Sequence, residues 1–73
     1  MSESVYKFIE LVGSSPESWE KAAATAVETA AQTLHDLRVA EIVQLDMLLE
    51  GGKIMAYRAK VKLSFKYDRT ERA

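Results

Sequence analysis

The chain has no cysteine, which excludes disulfides and thiolate metal sites. Its single histidine argues against a histidine-rich zinc centre. Proline occurs once and glycine three times, confined to Gly13–Pro16 and Gly51-Gly52, and these two places are the breaks in the chain. No apolar run approaches the ~20 residues needed to span a bilayer, so no membrane partner is expected. There is little excess charge of either sign: the formal net charge is −1. No global electrostatic pull toward nucleic acid follows, and none is expected as a partner. The opening Met1-Ser2-Glu3-Ser4 has no basic region followed by an apolar stretch, so no signal peptide is expected. Together with the missing cysteines this leads to the expectation of a cytoplasmic protein. There is no nucleophile elbow, phosphate-binding glycine loop or paired-carboxylate motif, and the chain does not read as an enzyme.

Seventy-three residues make one domain, 1–73, with an ordered core expected over 4–67 and a polar tail over 68–73. A core of this size supplies only ~3–5 kcal/mol without help. With disulfides and thiolate metal sites excluded, oligomerisation is the remaining aid.

One stretch reads as a helix, from Pro16 to about Asp36. Trp19, Ala23, Ala26, Val27, Ala30 and Leu34 recur at spacings of three and four, with Leu37 continuing the series. Glu20, Lys21, Glu28, Gln32 and His35 fall mostly on the other side. The alanines between Ala22 and Ala31 favour helix and leave a shallow stripe that a sheet can approach closely. Ser15 is the expected N-cap with Pro16 in the first helical position, and Ser14 with Glu17 forms an alternative capping box.

The rest reads as strand. Residues 4–12 carry apolar side chains on both parities: Val5, Ile9 and Leu11 on one, Tyr6, Phe8 and Val12 on the other. Residues 38–49 are long for a strand and mixed in parity, which predicts a bend or bulge near the middle. Glu50-Gly51-Gly52-Lys53 is a turn signal. Residues 53–67 alternate cleanly, with Met55, Tyr57, Ala59, Val61, Leu63, Phe65 and Tyr67 against Arg58, Lys60, Lys62 and Lys66. The order β-α-β-β predicts an α+β fold: a three-stranded antiparallel sheet, order 1-3-2, with one face on the helix. The second strand is then an apolar edge, a second reason to expect a homo-oligomer.

Val5-Tyr6-Lys7, Glu10-Leu11-Val12-Gly13-Ser14-Ser15-Pro16, the alanine-rich helix ending Thr33-Leu34, and Tyr57-Arg58-Ala59-Lys60-Val61-Lys62-Leu63-Ser64-Phe65 resemble the dodecins. The resemblance spans roughly residues 4–67. It implies a small β-α-β-β subunit assembled as a hollow homododecamer that binds, stores or sequesters flavin, FMN or riboflavin, between subunits. Two positions depart from the flavin-binding pattern. Where those dodecins carry a stacking tryptophan this chain has Val39, and where they carry a glutamine it has Arg58. Valine has no aromatic face, and arginine donates without accepting. The resemblance therefore implies an altered cofactor site at Val39, Gln44 and Arg58 with weakened flavin affinity. Arg38-Val39-Ala40 is similar to a subgroup lacking that tryptophan, some members of which are associated with calcium. The alternative reading is thus a structural or cation-binding shell.

Several side chains admit two readings. Trp19 is a ligand stacker or, better, an apolar anchor in the first helical turn. His35 is a metal ligand or, better, a surface or capping side chain at the helix end. Glu17, Glu41 and Asp46 are oxygen donors for calcium or magnesium, with Glu17 and Asp46 the candidate metal ligands, or else structural carboxylates. Arg58, Lys60, Lys62 and Lys66 form a basic face, either a site for anions or one neutralised by Glu10, Glu41 and Asp46 on neighbouring strands. Arg58 is expected to engage a carboxylate or to clamp an anionic ligand bidentately.

Overall fold

The alternation of the last strand places every second side chain on one face, and that face becomes the core. The computed structural model describes residues 3–67; the polar tail expected over 68–73 lies outside them. The elements are β1 (Tyr6–Ser15), α1 (Trp19–Ala31), β2 (Leu37–Glu50) and β3 (Lys53–Lys66). β3 lies in the middle of a three-stranded sheet of order β1-β3-β2, antiparallel to both neighbours. The fold is the expected β-α-β-β arrangement.

Ala59, Val61 and Leu63 of β3 are buried against Ala22, Ala26 and Ala30 of α1. Ile9 and Leu11 of β1 flank them, opposite Leu63 and Val61. The helix comes so close to β1 that a Cβ on Gly13 would overlap the Ala22 carbonyl oxygen and lie 3.1 Å from the Ala26 methyl carbon. Glycine on the strand and alanine on the helix are what permit this approach. Leu63 and Val61 are the largest fully buried side chains, so the core is thin.

The end of β1 and both ends of the helix differ from the sequence reading. β1 does not stop at Val12. It stays paired with β3 through Ser15, which stands opposite Tyr57, because a partner strand satisfies its backbone groups past the Gly-Ser-Ser punctuation. The N-cap is accordingly Ser18, not Ser15 or Ser14, and its hydroxyl accepts from the Lys21 N–H at 3.0 Å. The Ser15 hydroxyl instead accepts from the Glu17 N–H, holding the Pro16-Glu17 bend. At the other end α1 stops at Ala31. The Leu34 N–H still reaches back to the Ala30 carbonyl, but Asp36 takes a left-handed φ of 60° to lead into β2. His35 therefore lies in the exposed connection, past the helix end.

The Gly51-Gly52 turn closes the β2–β3 hairpin as expected, with both glycines at positive φ, 59° and 77°. α1 covers β1 and β3 and leaves most of β2 bare. Ile42, Val43, Leu45, Met47, Leu48 and Leu49 are exposed, and Ile54 and Met55 extend this surface on β3. The long hairpin accounts for the elongated shape, 54 × 21 × 14 Å.

Candidate functional site

The β2–β3 ladder is not in one register throughout. From the turn, Glu50 pairs with Lys53 and Leu49 with Ile54; then Met55 is an extra residue on β3, so Leu48 faces Ala56. The offset persists through Asp46–Arg58 and Gln44–Lys60, until Val43, an extra residue on β2, cancels it and Ile42 faces Val61. A hairpin counted evenly from the turn sets Arg58 opposite Leu45 and Asp46 opposite Tyr57. The extra residue at Met55 thus creates the Asp46–Arg58 pairing and Val43 ends the offset beyond it, because a one-residue slip turns each side chain to the other face. The shift at Val43 is the bulge expected near the middle of the strand.

Within the offset segment Leu45 and Met47 turn toward the helix side, and Gln44 and Asp46 turn outward, beside Arg58 and Lys60. Arg58 Nε and one terminal nitrogen each donate to a different Asp46 carboxylate oxygen, both at 2.8 Å. This is a bidentate charge-assisted pair, with side chains 44% and 38% exposed. The Arg58 hydrogen bond is the main reason the Asp46 carboxyl is held below its ordinary value, and the same bond raises Arg58. From the helix side, Trp19 Nε1 donates to the Asp46 carbonyl oxygen at 3.0 Å. The Trp19 ring meets Tyr57 edge-on, with centroids 5.0 Å apart. Trp19 is therefore an anchor between the helix start and the offset segment. Beside it runs an open apolar groove of about 420 Å³, lined by Trp19, Glu20, Ala23, Ile42 and Leu45.

The outward face of the sheet carries Glu10 and Glu41 on either side of Lys62, as expected from neighbouring-strand pairing. The Lys62 ammonium itself lies over the Phe8 ring, 4.7 Å from its centroid. Phe8 and Tyr6 share this face, since they stand opposite Ser64 and Lys66. The basic face thus has aromatic neighbours that β3 alone does not reveal; the parity of β1 carried that signal.

The candidate site residues are unevenly distributed. Arg58 and Asp46 meet, and Gln44 lies two residues along the same strand. Val39 stands opposite Ser64, six positions along β3 from Arg58, or about 20 Å at the strand rise. One chain alone therefore does not join Val39 to Arg58. Glu17 sits in the connection into the helix and pairs with Lys21 at 3.0 Å, an exposed pair one helical turn apart. Among the described residues no three His, Asp or Glu side chains gather in metal-binding proximity. No helix among them is long and apolar enough to cross a membrane.

Known proteins share this fold. The family model described as Dodecin matches residues 5–68. The calcium dodecin of Mycobacterium tuberculosis is 46% identical over 63 residues, covering 86% of this chain and 89% of that protein. A solved structure of calcium dodecin from that organism, with a novel calcium-binding site, matches with a TM-score of 0.78 at 48% identity, over 89% of this chain and 93% of the other. The dodecin of Streptomyces coelicolor matches with a TM-score of 0.84 at 34% identity, over 93% and 97%.

Proposed function

The chain belongs to the dodecin family, non-enzymatic binding proteins, and on that premise we propose that it builds a homododecameric shell that takes up a hard divalent cation, calcium before magnesium, rather than flavin. The observation that carries the ligand reading is the pair of side chains at positions 39 and 58. Val39 is exposed and offers no aromatic face. Arg58 supplies no acceptor, and two of its donors are already given to Asp46. Val39, Gln44 and Arg58 are thus a flavin site altered in its chemistry, and they lie too far apart to act together except across copies. The cation reading is further supported by the likeness to the calcium dodecin.

The carboxylates of Glu17 and Asp46 have the hard oxygen chemistry that calcium takes. Their number does not fit within one chain, and each is paired with a cation. A calcium site therefore needs further donors from a second copy or from water. The bare apolar flank of β2 supports assembly, because an uncovered strand of that length needs a partner.

Three measurements on the purified chain test the proposal. Light scattering at micromolar concentration is expected to give a particle many times the 8.2 kDa subunit mass; a stable folded monomer overturns the shell. Riboflavin and FMN are expected to show no submicromolar fluorescence quenching, and calcium is expected to give a binding heat that chelator abolishes. Submicromolar quenching together with no calcium heat reverses the choice of ligand. Val39→Trp is expected to raise flavin affinity about tenfold to a hundredfold, the scale of one aromatic stack.

A further inference from the structure

We propose that the overhanging end of the β2–β3 hairpin of one copy seats in the apolar groove beside Trp19 of the next, so that subunits join head to tail. The inference rests on the shell reading above and names the two surfaces, knob and groove, that meet.

The helix is much shorter than the hairpin. Its 13 residues span about 20 Å, whereas the 14 residues of each strand span about 46 Å. The helix starts over the sheet at Trp19, which meets Tyr57 and the Asp46 carbonyl. It then runs away from the turn, since Ala22 and Ala26 approach Gly13, which stands opposite Ala59. The rungs from Leu48–Ala56 to Glu50–Lys53 thus lie past the helix start. Their helix-side face is apolar all the same. Met47 and Leu49 continue the parity of Leu45, Ile54 stands opposite Leu49, and Met55 is the extra residue beside them. Each of these four is between 42% and 58% exposed. The groove opens on the other side of Trp19, with Leu45 on its wall. Leu49 is about 13 Å along the strand from Leu45, and a paired hairpin does not fold back on itself. Each subunit therefore carries a knob and a groove that it cannot join to each other. A second copy supplies both partners. The groove walls, Trp19, Ala23, Ile42 and Leu45, are apolar like the knob, and the rim carries Glu20 where the knob's turn carries Lys53. Knob and groove each offer on the order of several hundred Å² of apolar surface, and the two together approach the ~800 Å² that one partner buries in a standard interface. A contact between unlike surfaces is heterologous and links every copy to two neighbours.

The chain has no cysteine, so a thiol cross-linker reads only pairs placed by design. Glu20→Cys/Lys53→Cys, assembled and treated with a short bis-maleimide, is expected to give a covalent ladder running past dimer on a denaturing gel. Each single variant is expected to stay at monomer. Glu20→Cys/Glu50→Cys, which keeps Lys53, provides the same reading if the first does not assemble. A particle of wild-type size that yields no band above monomer overturns the proposal and leaves the shell standing. A ladder that stops at dimer also overturns it, because a two-fold contact closes on itself, and so does a single variant that cross-links. In a second measurement Leu49→Asp/Ile54→Asp, placed beyond the helix, is expected to keep the wild-type circular dichroism and to lose the wild-type particle size in light scattering. Retention of that size overturns the contact. A monomeric wild type ends the shell and this contact together.

Discussion

Gly13→Ala tests the closest contact in the subunit. The added methyl would overlap the backbone carbonyl oxygen of Ala22 and lie 3.1 Å from both the Ala22 carbonyl carbon and the Ala26 Cβ. A backbone atom does not swing aside as a flexible side chain does, so relief requires α1 to lift from β1 by about an ångström to reach ordinary contact. That lift opens a gap under Ala22, Ala26 and Ala30, the helix side of the core. A gap of ~0.5–1 Å forfeits a quarter to a half of each contact it separates. Overpacking of this kind costs about 1–3 kcal/mol, partly offset by the ~0.4–1 kcal/mol gained from the stiffer unfolded chain. Against the ~3–5 kcal/mol that a core of this size supplies, the loss is decisive. Urea unfolding at matched protein concentration is the assay, since the midpoint of the proposed shell would depend on concentration. The midpoint is expected to fall sharply, and the assembled fraction at low micromolar concentration with it. An unchanged midpoint would mean that helix and strand do not meet at Gly13, and the account of the core would fail.

Ser18→Ala is expected to cost about 1 kcal/mol through loss of the cap; an equal loss in chelator from Ser14→Ala, which caps nothing here, would contradict the placement of the helix start. Gly51→Ala meets no atom within 4 Å but holds φ at +59°, so its cost is left-handed strain alone, about 1 kcal/mol; urea midpoints read it, and a loss larger than that of Gly13→Ala would contradict the steric argument. The Asp46 carboxyl, lowered first by its hydrogen bond to Arg58, is expected to titrate below the ordinary 3.8 in an NMR pH series. Because its folded value is depressed, any stability it contributes is present above the ordinary value and is lost as pH falls through the folded one. In Arg58→Gln the midpoint is expected to rise; no change would mean that the pair is absent in solution.

Much of the fold could be read from residue order. The alternation of Met55 to Tyr67 and the Gly51-Gly52 pair marked the hairpin, and the β-α-β-β order with short connections left order 1-3-2 as the natural sheet. Helix boundaries were less legible because local signals competed with pairing. Gly13-Ser14-Ser15-Pro16 has the composition of a break, yet Ser15 remains in the ladder because Tyr57 is opposite. At the other end Leu34 continues the apolar spacing, but the chain must turn, and Asp36 tolerates the positive φ that turning needs. The site was legible as residue types and as the expectation that Arg58 engages a carboxylate, which Asp46 meets; which of Glu10, Glu41 and Asp46 it would be was not legible. Mixed parity in 38–49 pointed to one irregularity. The offset opened at Met55, and closed again at Val43, decides which carboxylate Arg58 meets, and no local composition signals its opening.

The middle strand of the sheet is also its last. β1 finds its partners only near the other end of the chain, Tyr6 with Lys66 and Ser15 with Tyr57. During synthesis β1 and α1 are therefore complete while the surface they pack on does not yet exist. The β2–β3 hairpin closes locally through its two-residue turn, whereas β1 must wait for a long loop to close. Loss of the chain beyond residue 58 would remove Ala59, Val61 and Leu63 together, leaving β1, α1, β2 and the first residues of β3 without the face on which the helix packs. A nascent chain halted there keeps only the turn end of the hairpin, from Glu50–Lys53 to Asp46–Arg58, so completion of the last strand is the event that supplies the helix with its core.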